Sequence, residues 1–283
     1  MLATLEGLDH VVVMVHDLDA AAEQWRALGF TVSPRGTHSA HLGTGNYTLM
    51  FEDDYLELLG VLQATEHNTP SRDFLARRGE GLEQAAFRTR DAAEGAAALA
   101  RQGVQAIGPL HFSRPVNRPD GSQAEAAFSI FSWPPAQRPA DLRIFGCQHH
   151  TRDAVWLPEL TRHANTVAGI RRIEAIAADP AAAAQTLAGL LDTTAETSAT
   201  GALVRTGTDR ADIHFMTAEA FAQAYAVPAG TPLPSQGAIA LVLRVHDLDA
   251  AARCVGPAAW RTAHGIATAP ALASGVLLAF EPA

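Results

Sequence analysis

The chain has 283 residues, 48% hydrophobic and 18% charged, with a formal net charge of −9 at pH 7. That length is a prior for roughly two domains, and a chain of this size buries about three quarters of its unfolded surface without covalent staples. The acidic balance argues against nucleic acid as a partner, because phosphate binding needs a concentrated basic surface. All 21 basic residues are arginine, which removes Schiff-base lysines and phosphate-loop lysines from consideration. Cys147 and Cys254 stand far apart and outside any C-x-x-C pattern, so no thiolate zinc site or disulfide framework is expected, and a reducing, cytoplasmic location is. No apolar run approaches ~18 residues, so neither a membrane span nor a membrane partner is expected. The opening residues also lack the pattern of a signal peptide.

In chain order, residues 7–21 (GLDHVVVMVHDLDAA) set a pattern. The apolar run predicts a strand over Val11–Val15. Asp17 is placed to cap a helix over Leu18–Leu28, and Gly29 to end it. Strands are expected over Phe30–Arg35, Asn46–Glu52 and Tyr55–Val61. Residues 81–95 (GLEQAAFRTRDAAEG) restart the pattern, with a strand over Leu82–Thr89, a helix over Ala92–Gln102, and strands over Val104–Leu110, Ala124–Phe131 and Leu142–Gln148. A third start at 169–183 predicts a strand over Ile170–Ala177, a helix over Pro180–Leu191, and strands over Ala202–Arg205 and Ala211–Met216. The fourth, 237–251 (GAIALVLRVHDLDAA), matches the first at nine of fifteen positions. A short helix and strands over Trp260–His264 and Val276–Phe280 follow it. A repeated supersecondary unit of one strand, one helix and three strands is the reading. The polar stretch 151–166 reads as a linker, giving domains at 1–150 and 167–283. Val227–Gln236 is a Pro-rich break, and Phe112–Ser122 reads as a long ordered loop near a site.

Strand alternation puts His10, Val12 and Met14 on one face, and Tyr55, Glu57 and Leu59 on another. Glu57 is a lone carboxylate in the run LELL, and burying it unpaired costs several kcal/mol, so it needs a cation or hydrogen-bond donors. An Arg35 or Arg88 partner would make an anion pocket without metal. On spacing alone, His10 reads more readily as a structural histidine than as a ligand.

The βαβββ unit, with His on its first strand and Glu on its last, resembles the vicinal oxygen chelate superfamily. The stretches LDHVVVMVHDLDAAAEQWRALGF and GTGNYTLMFEDDYLELLGV are similar to its glyoxalase-like proteins. The resemblance implies an α+β fold in which four modules pair into two curled mixed-sheet cups. The pairing of first module with second or with fourth stays open. It places His10, Glu57 and Gln84 at metal-ligand positions. No Glu matches the fourth position in LRIFGCQHH, where Gln148, His149 and His150 are the available donors. Such a set suits Zn, Ni, Fe or Mn. The resemblance further implies a divalent-metal-dependent enzyme of the glyoxalase and dioxygenase kind, acting on a small oxygen-rich substrate in the N-terminal cup, with Glu57 as the catalytic proton carrier. Arg88, His38, Asn46 and Trp133 are the substrate-binding candidates. A metal-free small-molecule-binding protein, like the bleomycin-resistance members, is the rival expectation. His163 and Asn165 are expected to fix the linker. The second half has Arg172 and Ala240 where the first has His10, with Asp212 and His214 only a faint second metal signal. It reads as a degenerate copy serving packing, pocket closure or a homodimer contact.

Overall fold

A computed structural model describes residues 1–118 and 121–283. The first module comprises β1 (Leu5–Val15), α1 (Leu18–Ala27), β2 (Gly36–Thr37), β3 (Thr44–Met50) and β4 (Tyr55–Val61). After α2 (Thr69–Arg78) the second has β5 (Gly81–Thr89), α3 (Ala92–Arg101), β6 (Ile107–Asn117), β7 (Gln123–Ser132) and β8 (Arg143–His149). The third has β9 (Val167–Ile176), α4 (Pro180–Leu191), β10 (Ala195–Thr197), β11 (Gly201–Val204) and β12 (Asp212–Met216), followed by α5 (Ala218–Ala224). The fourth has β13 (Gly237–Val245), α6 (Leu248–Val255), β14 (Ala259–Arg261), β15 (Ile266–Thr268) and β16 (Leu277–Pro282).

The strands form two eight-stranded mixed sheets of matching topology, β2-β3-β4-β1-β5-β8-β7-β6 and β10-β11-β12-β9-β13-β16-β15-β14. The first module therefore pairs with the second through antiparallel β1–β5, and the third with the fourth through β9–β13. Within modules, β1–β4 and β5–β8 run parallel. The first sheet curls until its edge strands β2 and β6 come together.

One aspartate opens the helix that follows the first strand of every module. Asp17, Asp91, Asp179 and Asp247 each accept hydrogen bonds from backbone N–H groups of the first helical turn. This satisfies donors that the helix cannot pair internally. The apolar stripes pack on the outer faces of the sheets in one core that runs through both halves, including Trp25, Leu49, Phe87, Leu187 and Phe280.

Sequence expectation and structure part at several places. Phe30–Arg35 is not a strand, because Pro34 lacks an N–H and, although Ser33 N–H donates to the Thr48 carbonyl, the return bond from Thr48 N–H goes to the Ser33 hydroxyl at 2.8 Å. The expected loop at Phe112–Ser122 is largely strand, since β6 runs on to Asn117. Pro115 is tolerated there because β6 is an edge, while Pro119 and Asp120 lie outside the described residues. Helix α2 offers little apolar stripe to read, with Phe74 and Leu75 as its buried apolar residues. Helix α5 lies across the concave side of the second sheet, where Phe221 and Tyr225 pack with Met216, Ile239, Val242 and Leu277.

Linker residues bond to both sides. His163 accepts from Thr31 N–H at 2.9 Å and its Nε2 meets the Met50 carbonyl at 2.8 Å. Asn165 donates to the Leu28 carbonyl and accepts from Val167 N–H.

Candidate functional site

A β-bulge at the start of each first strand positions the side chains. Leu8 pairs with Phe87 and His10 with Ala86, so Asp9 is an extra residue. Across the same ladder Val12 pairs with Gln84 and Val13 with Leu82, leaving Glu83 extra. A bulge breaks the strict alternation of faces, so an acidic side chain can turn toward the donor that follows it. Asp9 Oδ2 lies 2.8 Å from His10 Nδ1, and Glu83 Oε2 accepts from Gln84 Nε2 at 3.1 Å. Each acid also has an arginine, with Arg88 Nε on Asp9 Oδ1 at 2.9 Å and Arg143 on Glu83 Oε1 at 2.6 Å. The two modules repeat one device of acid, neighbouring donor and arginine clamp. In the second sheet the matching bulges precede Arg172 and Ala240, and the device is gone.

The concave side of the first sheet encloses a cavity of about 190 Å³. His10, Glu57, Gln84, His38 and Asn46 line it, together with Thr48, Tyr55, Cys147, Arg114 and an apolar wall that includes Leu59, Phe112, Phe128, Ile130 and Phe145. His67, Asn68 and Ser71, around the start of α2, close one end. His10 Nδ1 is held by Asp9, which leaves Nε2 as the nitrogen available to the cavity. The imidazole stacks on Tyr55 with ring centroids 4.3 Å apart. Glu57 Oε1 accepts from Asn46 Nδ2 at 2.6 Å. Val12 is the residue level with both Glu57 and Gln84, so the two flank it on neighbouring strands, one step along from His10.

Asp9 is the electrostatic centre beneath this floor. It is fully buried and also bonds His149 Nε2 at 2.8 Å. Burial raises its pKa, but the charge of His149 and the hydrogen bonds from both imidazoles outweigh that and hold the carboxyl well below 3.8. Burial lowers the His38 pKa, with the Glu57 carboxylate opposing and Arg114 assisting. Burial pushes Cys147 and Tyr55 well up, reinforced by Asp9, so both line the cavity in neutral form.

Several candidates named from sequence sit elsewhere. Gln148 caps α3, accepting from Ala92 N–H at 3.0 Å and donating to the Arg90 carbonyl at 2.8 Å, so both ends of its amide serve backbone groups. Trp133 is core and donates to the Leu190 carbonyl. Arg88 is committed to Asp9 and the Asp53 carbonyl and does not line the cavity. His149 meets Asp9 beneath the floor, and its Nδ1 has no hydrogen-bond partner among the described residues. Register also settles the fourth position of the sequence pattern. Tyr55 pairs with His10 and Glu57 lies two residues on; Arg143 pairs with Gln84 and Phe145 lies two residues on. The residue equivalent to Glu57 is therefore Phe145.

In the second cup, His214 is level with Glu174, as Glu57 is with Val12. There Glu174 joins Arg172, His214 and Tyr225 in a buried network with contacts of 2.6–2.8 Å, beneath α5. Asp212 faces Arg205 at 3.4 Å. His214 and Asp212 thus have separate partners, Glu174 and Arg205.

Residues 8–191 match the family model described as the glyoxalase-like domain. The chain belongs to the glyoxalase-like domain family. No curated protein sequence matches this glyoxalase-like protein. Among solved structures, a hypothetical protein from Staphylococcus aureus is similar over 98% of this chain and 99% of its own, at 11% identity and a TM-score of 0.70, a likeness of fold. Methylmalonyl-CoA epimerase from Streptomyces coelicolor aligns over 52% of this chain and 99% of its own at 24% identity, with a TM-score of 0.41. The Mycobacterium tuberculosis epimerase aligns over 55% and 97% at 21% identity, also at 0.41.

Two sets of donors in this glyoxalase-like protein could hold a cation. Asp9, His10 and His149 offer ligand atoms within 4.8 Å of one another. Both imidazoles there meet the same Asp9 oxygen while Arg88 holds the other, so a cation would lie close to a guanidinium. The second set is His10, Glu57 and Gln84, all on the cavity wall, where one imidazole nitrogen is already oriented by a buried carboxylate. That carboxylate–histidine pairing is the usual support of a metal-ligating imidazole.

Proposed function

We propose that the N-terminal cup is the active site of a divalent-metal-dependent enzyme acting on a small, oxygen-rich substrate. His10 Nε2, Glu57 and Gln84 Oε1 would hold the ion, and Zn, Ni, Fe and Mn all suit that mixture of nitrogen and oxygen donors. One observation carries the reading: His10 lines the cavity with its far nitrogen fixed by buried Asp9 at 2.8 Å. A bound ion would supply Lewis-acid stabilisation of charge developing on a substrate oxygen. The protein supplies the rest. Glu57 is half-buried and held at Oε1 by Asn46, and its other oxygen, when not engaged by the ion, would accept a proton from a substrate carbon. The apolar wall excludes water from that transfer.

A second reading has its own support. Phe145 at the position equivalent to Glu57, and Asn46 bonded to the Glu57 carboxylate, suit a cup that binds a small molecule without metal. Metal analysis of the purified protein, before and after incubation with each of the four ions, separates the two. Stoichiometric metal lost in His10→Ala and Glu57→Gln supports the enzyme. Metal lost in His149→Ala but kept in Glu57→Gln moves the ion to the Asp9 cluster. No metal under any condition favours the binding protein.

A further inference from the structure

Of the residues lining the cavity, Arg114 carries the only permanent positive charge among those described, the remaining cationic candidates being His10, His38 and His67. It projects from β6, one edge of the first sheet, and its guanidinium reaches the other edge. A Cβ built on Gly36 of β2 would stand 3.1 Å from Arg114 Nη1 and 2.1 Å from Asn46 Oδ1. The absent side chain at Gly36 is thus what lets Arg114 lie beside the Asn46–Glu57 pair. Most cations near the site have an anion. Arg88 has Asp9 at 2.9 Å, Arg143 has Glu83 at 2.6 Å and Arg35 has Asp19 at 2.9 Å. Arg114 has no carboxylate within 4.0 Å among the described residues, although it is half-buried beside an apolar wall. A guanidinium so placed is poorly hydrated and presents its planar fork to the cavity.

We propose that Arg114 is the recognition residue for a carboxylate on the substrate, so that the cup takes small carboxylic acids with an apolar or aryl body. The inference rests on the proposed active site, because the nearest candidate counter-charge, Glu57, is there a metal ligand. Its charge is then consumed by the ion, and the cavity is left net positive. Phe112, Phe128 and Phe145 provide the apolar surface for the body of the acid. A carboxylate matches the guanidinium by two parallel N–H···O bonds. It would also place substrate oxygens and an adjacent carbon on the Glu57 side of the cavity.

The test is calorimetric titration of wild-type protein with phenylacetate, 3-phenylpropionate and 4-phenylbutyrate, each against its uncharged amide. Both the metal-loaded and the chelator-treated protein are used. At least one acid is expected to bind more tightly than its amide by about ten- to a hundredfold, the worth of a hydrogen bond to a charged group. Arg114→Gln should reduce that preference to within about twofold, and Arg114→Met serves the same purpose if the first variant does not fold. An acid preference lost with Arg114 stands as support even if no metal is ever found, in which case only the enzyme reading fails. Conversely, stoichiometric metal at His10 and Glu57 with acids and amides bound alike overturns the inference and leaves the enzyme reading intact. Absence of saturable binding by all three acids, or an acid preference unchanged in a folded Arg114 variant, also overturns it.

Discussion

Replacing Asp9 by Asn tests the site and the fold together, because one fully buried carboxylate holds three side chains at 2.8–2.9 Å: His10, His149 and Arg88. Asn keeps the size but removes the charge, and its amide nitrogen cannot accept from the two donors that converge on Oδ2. Arg88 keeps an oxygen at Oδ1 and the Asp53 carbonyl to donate to but loses its counter-charge. Removing one partner of a buried ion pair costs about 3–5 kcal/mol, against a total stability of about 5–15 kcal/mol for a typical domain. Asp9→Asn should therefore fold only marginally. Urea titration followed by tryptophan fluorescence reads this directly, since the Trp156 ring lies 5.3 Å from that of His149.

The sign with pH follows from the depressed carboxyl. Its native pKa is well below 3.8, so Asp9 contributes stability above that value and loses it as pH falls through the native pKa. The gap between wild type and variant should be widest near neutrality and close only in strong acid. The same substitution frees His10 to rotate, so metal affinity should fall about ten- to a hundredfold, as for other lost supports of ligating imidazoles. A variant within about 1 kcal/mol of wild type at pH 7 would refute the view of Asp9 as the hub.

Asp54, which accepts from Ile170 N–H of the second half, predicts the opposite pH trend. Burial raises its carboxyl from 3.8 to about 7. Its stabilising contribution is complete below the unfolded value and gone once pH passes the native one. Wild type should lose up to about 4 kcal/mol relative to Asp54→Asn between pH 4 and 7, at 1.36 kcal/mol per unit, and parallel urea midpoints for the two proteins across that range would count against it. Gly95 in α3 sets two effects against each other. Alanine there gains about 1 kcal/mol of helix propensity, but its Cβ would stand 2.4 Å from Phe131 Cε1. Overpacking costs about 1–3 kcal/mol and should win, which a lowered melting temperature would register. Gln148→Ala should cost about 1 kcal/mol, as a lost helix cap does, and leave the metal content unchanged; altered metal content would return Gln148 to the site.

The modules were legible because each shares three local signals: an alternating strand, an aspartate cap and an alanine-rich helix. The cap aspartates 17, 91, 179 and 247 act through bonds to their own next few residues, so adjacent sequence suffices to find them. His10 and Glu57 could be placed on the cavity side because an alternating strand reports which residues share a face, and Gln84 followed from the family resemblance. Asp9 was missed for the same reason, since strict alternation sends it to the opposite face and the bulge that overrides this depends on pairing with a strand some 75 residues away. The repeat itself held a signal, because Asp9–His10 and Glu83–Gln84 are acid–donor pairs at equivalent places in two copies. Arg114 had no such signal. Its importance arises only when curling brings β6 against β2.

The two halves show what it takes to keep a cup open. Closing a curled apolar sheet on itself is favourable wherever a nearby segment can fill it, and α5 does so in the second half with Phe221 and Tyr225. Its remaining polar groups, Arg172, Glu174, His214 and Tyr225, then satisfy one another. In the first half the segment after the last strand of the first module forms α2, whose Phe74 and Leu75 pack on Val12 and Met14 at one end of the concave side, while the surroundings of His10 stay open as the cavity. The floor there carries His10, Glu57 and Gln84, and a hydrocarbon plug would desolvate them without offering partners. Each bulge acid fixes one donor from below and its arginine neutralises the acid, so the polar floor is anchored independently of any occupant. Polar groups held at one atom by a neighbour, with the other atom unpartnered among the described residues, are what keep a hollow from collapsing, and they are also what a ligand would bind. The emptiness of the first cup and its chemistry therefore have the same physical cause.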